Sequence, residues 1–250
     1  MIESKDNEKL KLVRKLRERR HREREGLFAT EGEDLLDAGL AAGAKPRFVL
    51  LAAGARSSLG PVDGPKDDRD AGFKVDEVAP ELLDSVSALG SGTRAIAVWP
   101  LPDVAAPVAP CVYLDGVGDP GNVGTIVRTA HALLGATVAL GPGCADAFGP
   151  KATRASMGSL FSRPPAAVAG VEATQAPRVA LVAHGGSGLE ALAGAATLCL
   201  GSEREGLRPE VVAACAASAT IPLRGGAESL NVAAAAAVAC ARMSEVPTDA

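Results

Sequence analysis

The sequence predicts an α/β protein of two domains, a smaller mixed one followed by a larger one built on a doubly wound parallel sheet. Three observations carry this. Short apolar runs alternate with helical segments along the chain. The stretch 100–110 holds four prolines in eleven residues, a composition that favours an extended, semi-rigid linker. Beyond it the apolar runs lack polar alternation, as strands covered by helices on both faces do. The division is therefore 1–99, a linker 100–110, and 111–250.

In the first part, Leu10, Val13 and Leu16 recur at helical spacing, which predicts one helix over 8–25 with a thin apolar stripe, ended by Gly26. A helix over 31–42, an apolar strand over 47–53, an acidic Gly/Pro-rich loop to Asp70, a strand at 73–75, a helix over 80–88 and a strand over 94–99 follow. In the second part, strands are expected at 111–114, 136–140, 178–183, 197–200 and 219–223, separated by helices and turns. A sheet of this kind binds ligands at the carboxyl ends of its strands.

Composition excludes several classes. At 250 residues with 47% hydrophobic content the chain can bury two ordinary cores. No run of about 18 uncharged apolar residues occurs and the charged N-terminus has no apolar leader core, so no membrane partner and a cytoplasmic location are expected. The five cysteines are scattered among apolar neighbours, and His21, His131 and His184 show no ligand spacing, so free buried thiols and no metal are expected. Net charge is −4, yet residues 1–26 hold ten Lys/Arg against six Asp/Glu. Such a patch, with Arg14, Lys15, Arg19, Arg20 and Arg22, fits a phosphate backbone; a solvated helix laced with i,i+4 ion pairs is the alternative.

Three blocks each run from a strand end into a turn and then a helix. They are Asp115-Gly-Val-Gly-Asp-Pro-Gly-Asn-Val-Gly-Thr-Ile-Val-Arg128, Leu200-Gly-Ser-Glu-Arg-Glu-Gly-Leu207 and Ile221-Pro-Leu-Arg-Gly-Gly-Ala-Glu-Ser-Leu-Asn231. The Gly116-x-Gly118-x-x-Gly121 pattern within the first is a dinucleotide fingerprint by spacing alone. It fails on context. No Asp or Glu lies between Asp119 and Asp146 to hold a ribose, and Pro120 removes an N–H from the would-be phosphate turn.

In order and spacing the blocks closely resemble the three motifs of the SpoU/TrmH-type RNA 2′-O-methyltransferases of the SPOUT class, and Lys151-Ala-Thr-Arg-Ala-Ser-Met-Gly158 resembles the segment between the first two. The resemblance covers residues 111–243. It implies a deep trefoil knot in the C-terminal domain, which sequence rules alone do not predict, together with S-adenosylmethionine as cofactor and pairing as a homodimer that completes the site. Lys11-x-x-Arg-Lys-Leu16 and Gly26-Leu-Phe-x-x-Glu-Gly32 resemble an L30e-like substrate-binding domain, which implies rRNA ahead of tRNA as partner. The chain departs from the family at 168–178, where relatives place a fuller helix.

Carried onto these residues, the resemblance assigns cofactor contacts to Gly201, Ile221 and Leu230, and places Asn122, Arg128, Ser229 and Asn231 around the reacting ribose. Glu203 would orient Arg128 or accept a proton. A ribose hydroxyl is a weak nucleophile, so the site needs charge or hydrogen bonds that favour the alkoxide as it attacks. Arg128 suits this electrostatically, because a guanidinium keeps its proton; some accounts of the family cast it as a base instead. The expected activity is methylation of a ribose 2′-hydroxyl, in 23S rRNA first. A tRNA enzyme of the same chemistry and a catalytically silent RNA-binding or ribosome-assembly factor are the alternatives, and a drug-resistance role stays open.

Overall fold

The structure, a computed structural model, describes residues 1–55, 73–88, 90 and 92–245, so most of the expected loop to Asp70 lies outside it. The contacts divide the chain into two units, Met1–Pro102 with Phe148–Phe161, and Asp103–Ala147 with Ser162–Ala250.

In the first unit, Asn7 starts α1 (Glu8–Lys15) by accepting the Lys9 N–H at 2.9 Å, and Glu8 at the start with Arg14 and Lys15 at the end match the helix dipole. The single helix expected over 8–25 is in fact two, α1 and α2 (Arg19–Glu25). The reason is the stripe: Leu10, Val13 and Leu16 are buried, and residues 17–25 offer no apolar side chain to extend it. Arg22 closes the break. Its guanidinium donates to the carbonyls of Leu16 and Arg17 at 2.7 and 2.9 Å and is 4% exposed, so it is a fold residue and no surface RNA contact. Gly26, at φ 64°, ends α2.

The strand β1 (Leu27–Glu31) was not expected; its five residues carry no alternation that separates them from the flanking helices. Then come α3 (Glu33–Ala41), β2 (Phe48–Ala52), β3 (Lys74–Val78), α4 (Pro80–Val86) and β4 (Ala95–Pro100). The sheet order is β1-β4-β2-β3, with only β2 and β3 parallel. On one face Leu10, Val13 and Leu16 pack with Leu50, Leu83 and Ile96. On the other, Phe28 lies 5.1 Å from the Phe148 ring and 5.9 Å from Phe161, and Trp99 lies 4.7 Å from Phe161 while donating to Thr30 Oγ1 at 2.8 Å. These aromatic contacts draw Phe148–Phe161 into this unit, although the sequence groups it with 111–250. That segment contains α6 (Pro150–Ser156), whose Arg154 donates to the Asp34 carboxylate at 2.8 and 2.9 Å.

The second unit is a six-stranded parallel sheet of order β10-β8-β9-β5-β6-β7. Its strands are β5 (Cys111–Asp115), β6 (Thr137–Leu140), β7 (Ala166–Ala167), β8 (Arg178–Leu181), β9 (Thr197–Gly201) and β10 (Ala217–Ala219). The last is shorter and earlier than the expected 219–223, because its ladder partner β8 ends at Leu181, which pairs with Ala219. The central strands β5 and β9 are apolar and buried, as a sheet covered on both faces demands. Between Val168 and Arg178 there is a 3-10 turn, Val171–Ala173, in place of a fuller helix. The short α7 (Ser159–Ser162) and α8 (Pro209–Ala213) complete the connections with two long helices, α5 (Pro120–Leu134) and α9 (Val232–Ser244). Those two pack on each other; α5 buries Val123, Ile126, Val127 and Ala130, and α9 buries Ala233, Ala236, Ala239 and Cys240. The small side chains of α9 recur every three or four residues and let the helices approach closely.

Candidate active site

All six strands of the second sheet run the same way, so β5, β8, β9 and β10 end at one edge. The three blocks begin there, which is where a doubly wound sheet binds ligands.

The first block turns at Gly116, φ 68°, and enters α5 through Asp119, whose carboxylate accepts the Asn122 N–H at 2.9 Å. Pro120 follows at the first helical position, where a missing N–H costs nothing. Asp119 is the cap, so the Asn122 side chain is left for other work. Its Nδ2 donates to Glu203 Oε1 in the second block. Its Oδ1 accepts from Asn231 Nδ2 in the third, at 3.2 Å. Asn231 in turn starts α9, with its Oδ1 accepting the Ala233 and Ala234 N–H groups at 2.9 and 3.3 Å. One polar chain, Asn231 to Asn122 to Glu203, thus joins the three blocks.

A cleft of about 530 Å³ opens beside this chain. The second block lines it from Leu200 to Leu207, and the third through Ile221, Leu223 and Glu228 to Leu230. Gly201, Ile221, Leu230, Glu203 and Ser229 all face it, whereas Asn122, Asn231 and Arg128 are not among its lining residues. Sequence reasoning missed a further wall, Leu181 to His184 at the end of β8. The available signal was an apolar strand running straight into His-Gly-Gly.

Gly201 has a specific requirement. A Cβ there would lie 2.0–2.2 Å from the backbone of Gly206 and Leu207, so what approaches Gly201 is the return limb of its own turn. Ser202 and Gly206 close that turn with paired backbone bonds of 3.1 and 3.0 Å. At its base Arg208 donates Nε and Nη2 to the buried Asp115 carboxylate at 3.0 and 2.7 Å. The bonded carboxylate pushes the Arg208 pKa further up, and burial with the nearby Asp115 charge pushes the Tyr113 phenol up to about 12.

The lining suits a ligand that is part apolar and part cationic. Leu200, Leu207, Ile221, Leu223 and Leu230 give apolar contact, and Glu203, Glu205 and Glu228 outnumber Arg204 in charge. An adenosyl group with a sulfonium centre meets both conditions. Among the described residues no group of three or more His, Cys, Asp or Glu is placed to hold a metal ion, and no helix is long and apolar enough to cross a membrane.

Arg128 stands apart. Glu203 bonds Asn122 and not Arg128, because Arg128 lies six residues further along α5, about 9 Å up the axis and about 240° around it from Asn122. Its side chain is exposed. In the first unit Lys15, Arg19 and Arg20 are exposed, the latter two beside Glu23 and Glu18. Arg14 is half-buried and donates to the Lys5 carbonyl at 3.2 Å and to Ser85 Oγ at 3.3 Å.

Comparison with known proteins agrees with this geometry. The SpoU rRNA Methylase family matches residues 109–241, and the MRM3-like substrate binding domain matches residues 7–97. The 23S rRNA (guanosine(2553)-2′-O)-methyltransferase RlmP of Bacillus subtilis is 30% identical over 246 residues, 95% of this chain and 96% of that protein. The SpoU methyltransferase AviRb of Streptomyces viridochromogenes, in complex with the cofactor AdoMet, superposes with a TM-score of 0.79 at 27% identity, covering 96% of this chain and 98% of that one. An AdoMet-bound rRNA methyltransferase from Sinorhizobium meliloti gives a TM-score of 0.81 at 27% identity, covering 96% and 95%. With one family spanning more than half of its length and a full-length relative beside it, the chain belongs to the SpoU rRNA methylase family.

Proposed function

We propose that this protein transfers the methyl group of S-adenosylmethionine to a ribose 2′-hydroxyl of 23S rRNA. The observation that carries the reading is the side-chain chain Asn231–Asn122–Glu203, which ties all three blocks together at the mouth of a cleft suited to an adenosyl sulfonium. The relatives named above act on rRNA or bind AdoMet, and the N-terminal match is to a substrate-binding domain.

When bound, the cofactor supplies an activated methyl carbon and its own leaving group, so the chain's residues need only position and activate the oxygen. Ile221 and Leu230 offer apolar walls for the adenine, and Gly201 keeps the second block closed tightly enough to bring backbone groups to its edge. Asn122, itself bonded by Asn231, holds Glu203 at the cleft mouth, and Ser229 lines the cleft. Arg128 is the cation that stabilises the attacking oxygen and the neighbouring phosphate.

Because Arg128 is exposed and outside the cleft of its own chain, the proposal includes a homodimer in which Arg128 of one copy serves the cleft of the other. It also includes the trefoil knot of the C-terminal domain, the division into 1–99, 100–110 and 111–250, and a cytoplasmic setting. Lys15, Arg19 and Arg20, with Arg14 beside them, form the RNA-facing part of the first domain.

The test is transfer of labelled methyl from S-adenosylmethionine into purified 23S rRNA, 16S rRNA and tRNA from cells lacking the protein. Label in 23S rRNA supports the proposal. Label in tRNA alone redirects the substrate, and cofactor binding with no label in any RNA makes the protein a silent binder.

A further inference from the structure

The loop from Gly201 to Leu207 lines the cleft along its whole length, and both of its ends are pinned to one residue. Gly201, at the end of β9, is the register partner of Asp115 at the end of β5. At the other end, Arg208 gives the Asp115 carboxylate its backbone N–H at 3.0 Å, its Nε at 3.0 and 3.1 Å and its Nη2 at 2.7 Å. The Tyr113 hydroxyl lies 3.5 Å from the same carboxylate. The Asp115 side chain is 1% exposed, and that of Arg208 45%.

We infer that Asp115 and Arg208 are positioning residues, which set the base of the cofactor loop so that Glu203 at its tip meets Asn122. This rests on the reading that the cleft holds S-adenosylmethionine. An ion pair whose cation is half exposed contributes little to stability, but the planar guanidinium fork fixes direction. Four hydrogen bonds to the Asp115 carboxylate tie residue 208 to β5, and the turn above it is already closed by Ser202 and Gly206. A rotation at the base would therefore carry the turn as one body. The first block then grips the loop twice, through Asp115 at the base and Asn122 at the tip.

The loop carries its own probe, the exposed Arg204–Glu205 bond, which trypsin can cut. Position 208 precedes Pro209, so Arg208 and a lysine in its place both leave the tryptic map unchanged. Without cofactor, Arg208→Ala should raise the rate of cutting after Arg204 about tenfold relative to cutting after Arg20, and Arg208→Lys, which keeps the charge and loses the fork, about threefold. The dissociation constant for S-adenosylmethionine, by calorimetry, should rise by similar factors. Arg208→Lys should leave the melting temperature unchanged, which separates positioning from global loosening.

Cutting after Arg204 and cofactor affinity both within twofold of the unaltered protein in the two variants would overturn the inference, as would faster cutting at every site equally. If the unaltered protein fails to bind S-adenosylmethionine, the functional reading falls, while the trypsin comparison still decides the clamp.

Discussion

Replacing Gly201 by alanine tests the cleft at a single atom. The added Cβ would lie 2.0, 2.1 and 2.2 Å from Gly206 C, Leu207 N and Gly206 O, where real Cβ contacts stay beyond 3.0 Å. All three neighbours are backbone, so no rotamer relieves the clash, and the return limb must move by about 1 Å. Overpacking of this kind costs about 1–3 kcal/mol. A displacement of about 1 Å in a positioned site costs on the order of 100-fold in rate. The change also carries Glu203 away from Asn122, since both limbs belong to one turn. The assay is methyl transfer together with calorimetric binding of S-adenosylmethionine, beside a thermal melt. We expect a fall of about 100-fold in turnover and a loss of cofactor affinity, in a protein that still unfolds cooperatively. Turnover and affinity both within threefold of the unaltered protein would refute the reasoning.

Three further outcomes follow from named contacts. Asn231→Ala removes both the α9 cap and the bond to Asn122, so turnover should fall and the melting temperature drop by about 2–4 °C for about 1 kcal/mol of cap, whereas Asn231→Asp keeps the cap and should lose turnover alone. Arg22→Ala should destabilise the first unit by about 2 kcal/mol in a denaturant melt, while Arg20→Ala should weaken binding to rRNA in a gel shift and leave stability unchanged. A fragment ending at Pro102 lacks the Phe148 and Phe161 rings that cover Phe28 and Trp99, and should show a loose near-ultraviolet dichroism signal that the full chain does not.

The edge on which the site lies was legible because continuous apolar runs alternating with helices force a parallel sheet, and every parallel strand ends on the same side. What each polar residue does there was less legible. Asn122 reads as a helix cap by type, yet Asp119 directly before Pro120 is itself a cap signature, and it wins because it stands one position earlier than the helix start. Only the fold shows that this frees Asn122 to bridge two distant blocks. Arg22 sits in a run of charges and looks like its neighbours; its burial follows from a helix break whose one sequence trace is the end of the apolar stripe at Leu16. The resemblance makes Gly201 a cofactor contact, and the neighbour that its missing side chain accommodates is its own chain five and six residues on. The wall from Leu181 to His184 had one sequence trace, the apolar strand that runs into His-Gly-Gly, and a strand end by itself does not say which ligand faces it.

The most direct test of the proposed chemistry is the position of the transferred methyl group. RNA labelled by the protein from S-adenosylmethionine is digested to nucleosides and the label located by mass spectrometry. The account predicts a single 2′-O-methylated nucleoside from 23S rRNA, lost on Arg128→Ala with cofactor binding retained. A methyl group on a base, or undiminished ribose methylation by the Arg128→Ala protein, would contradict it.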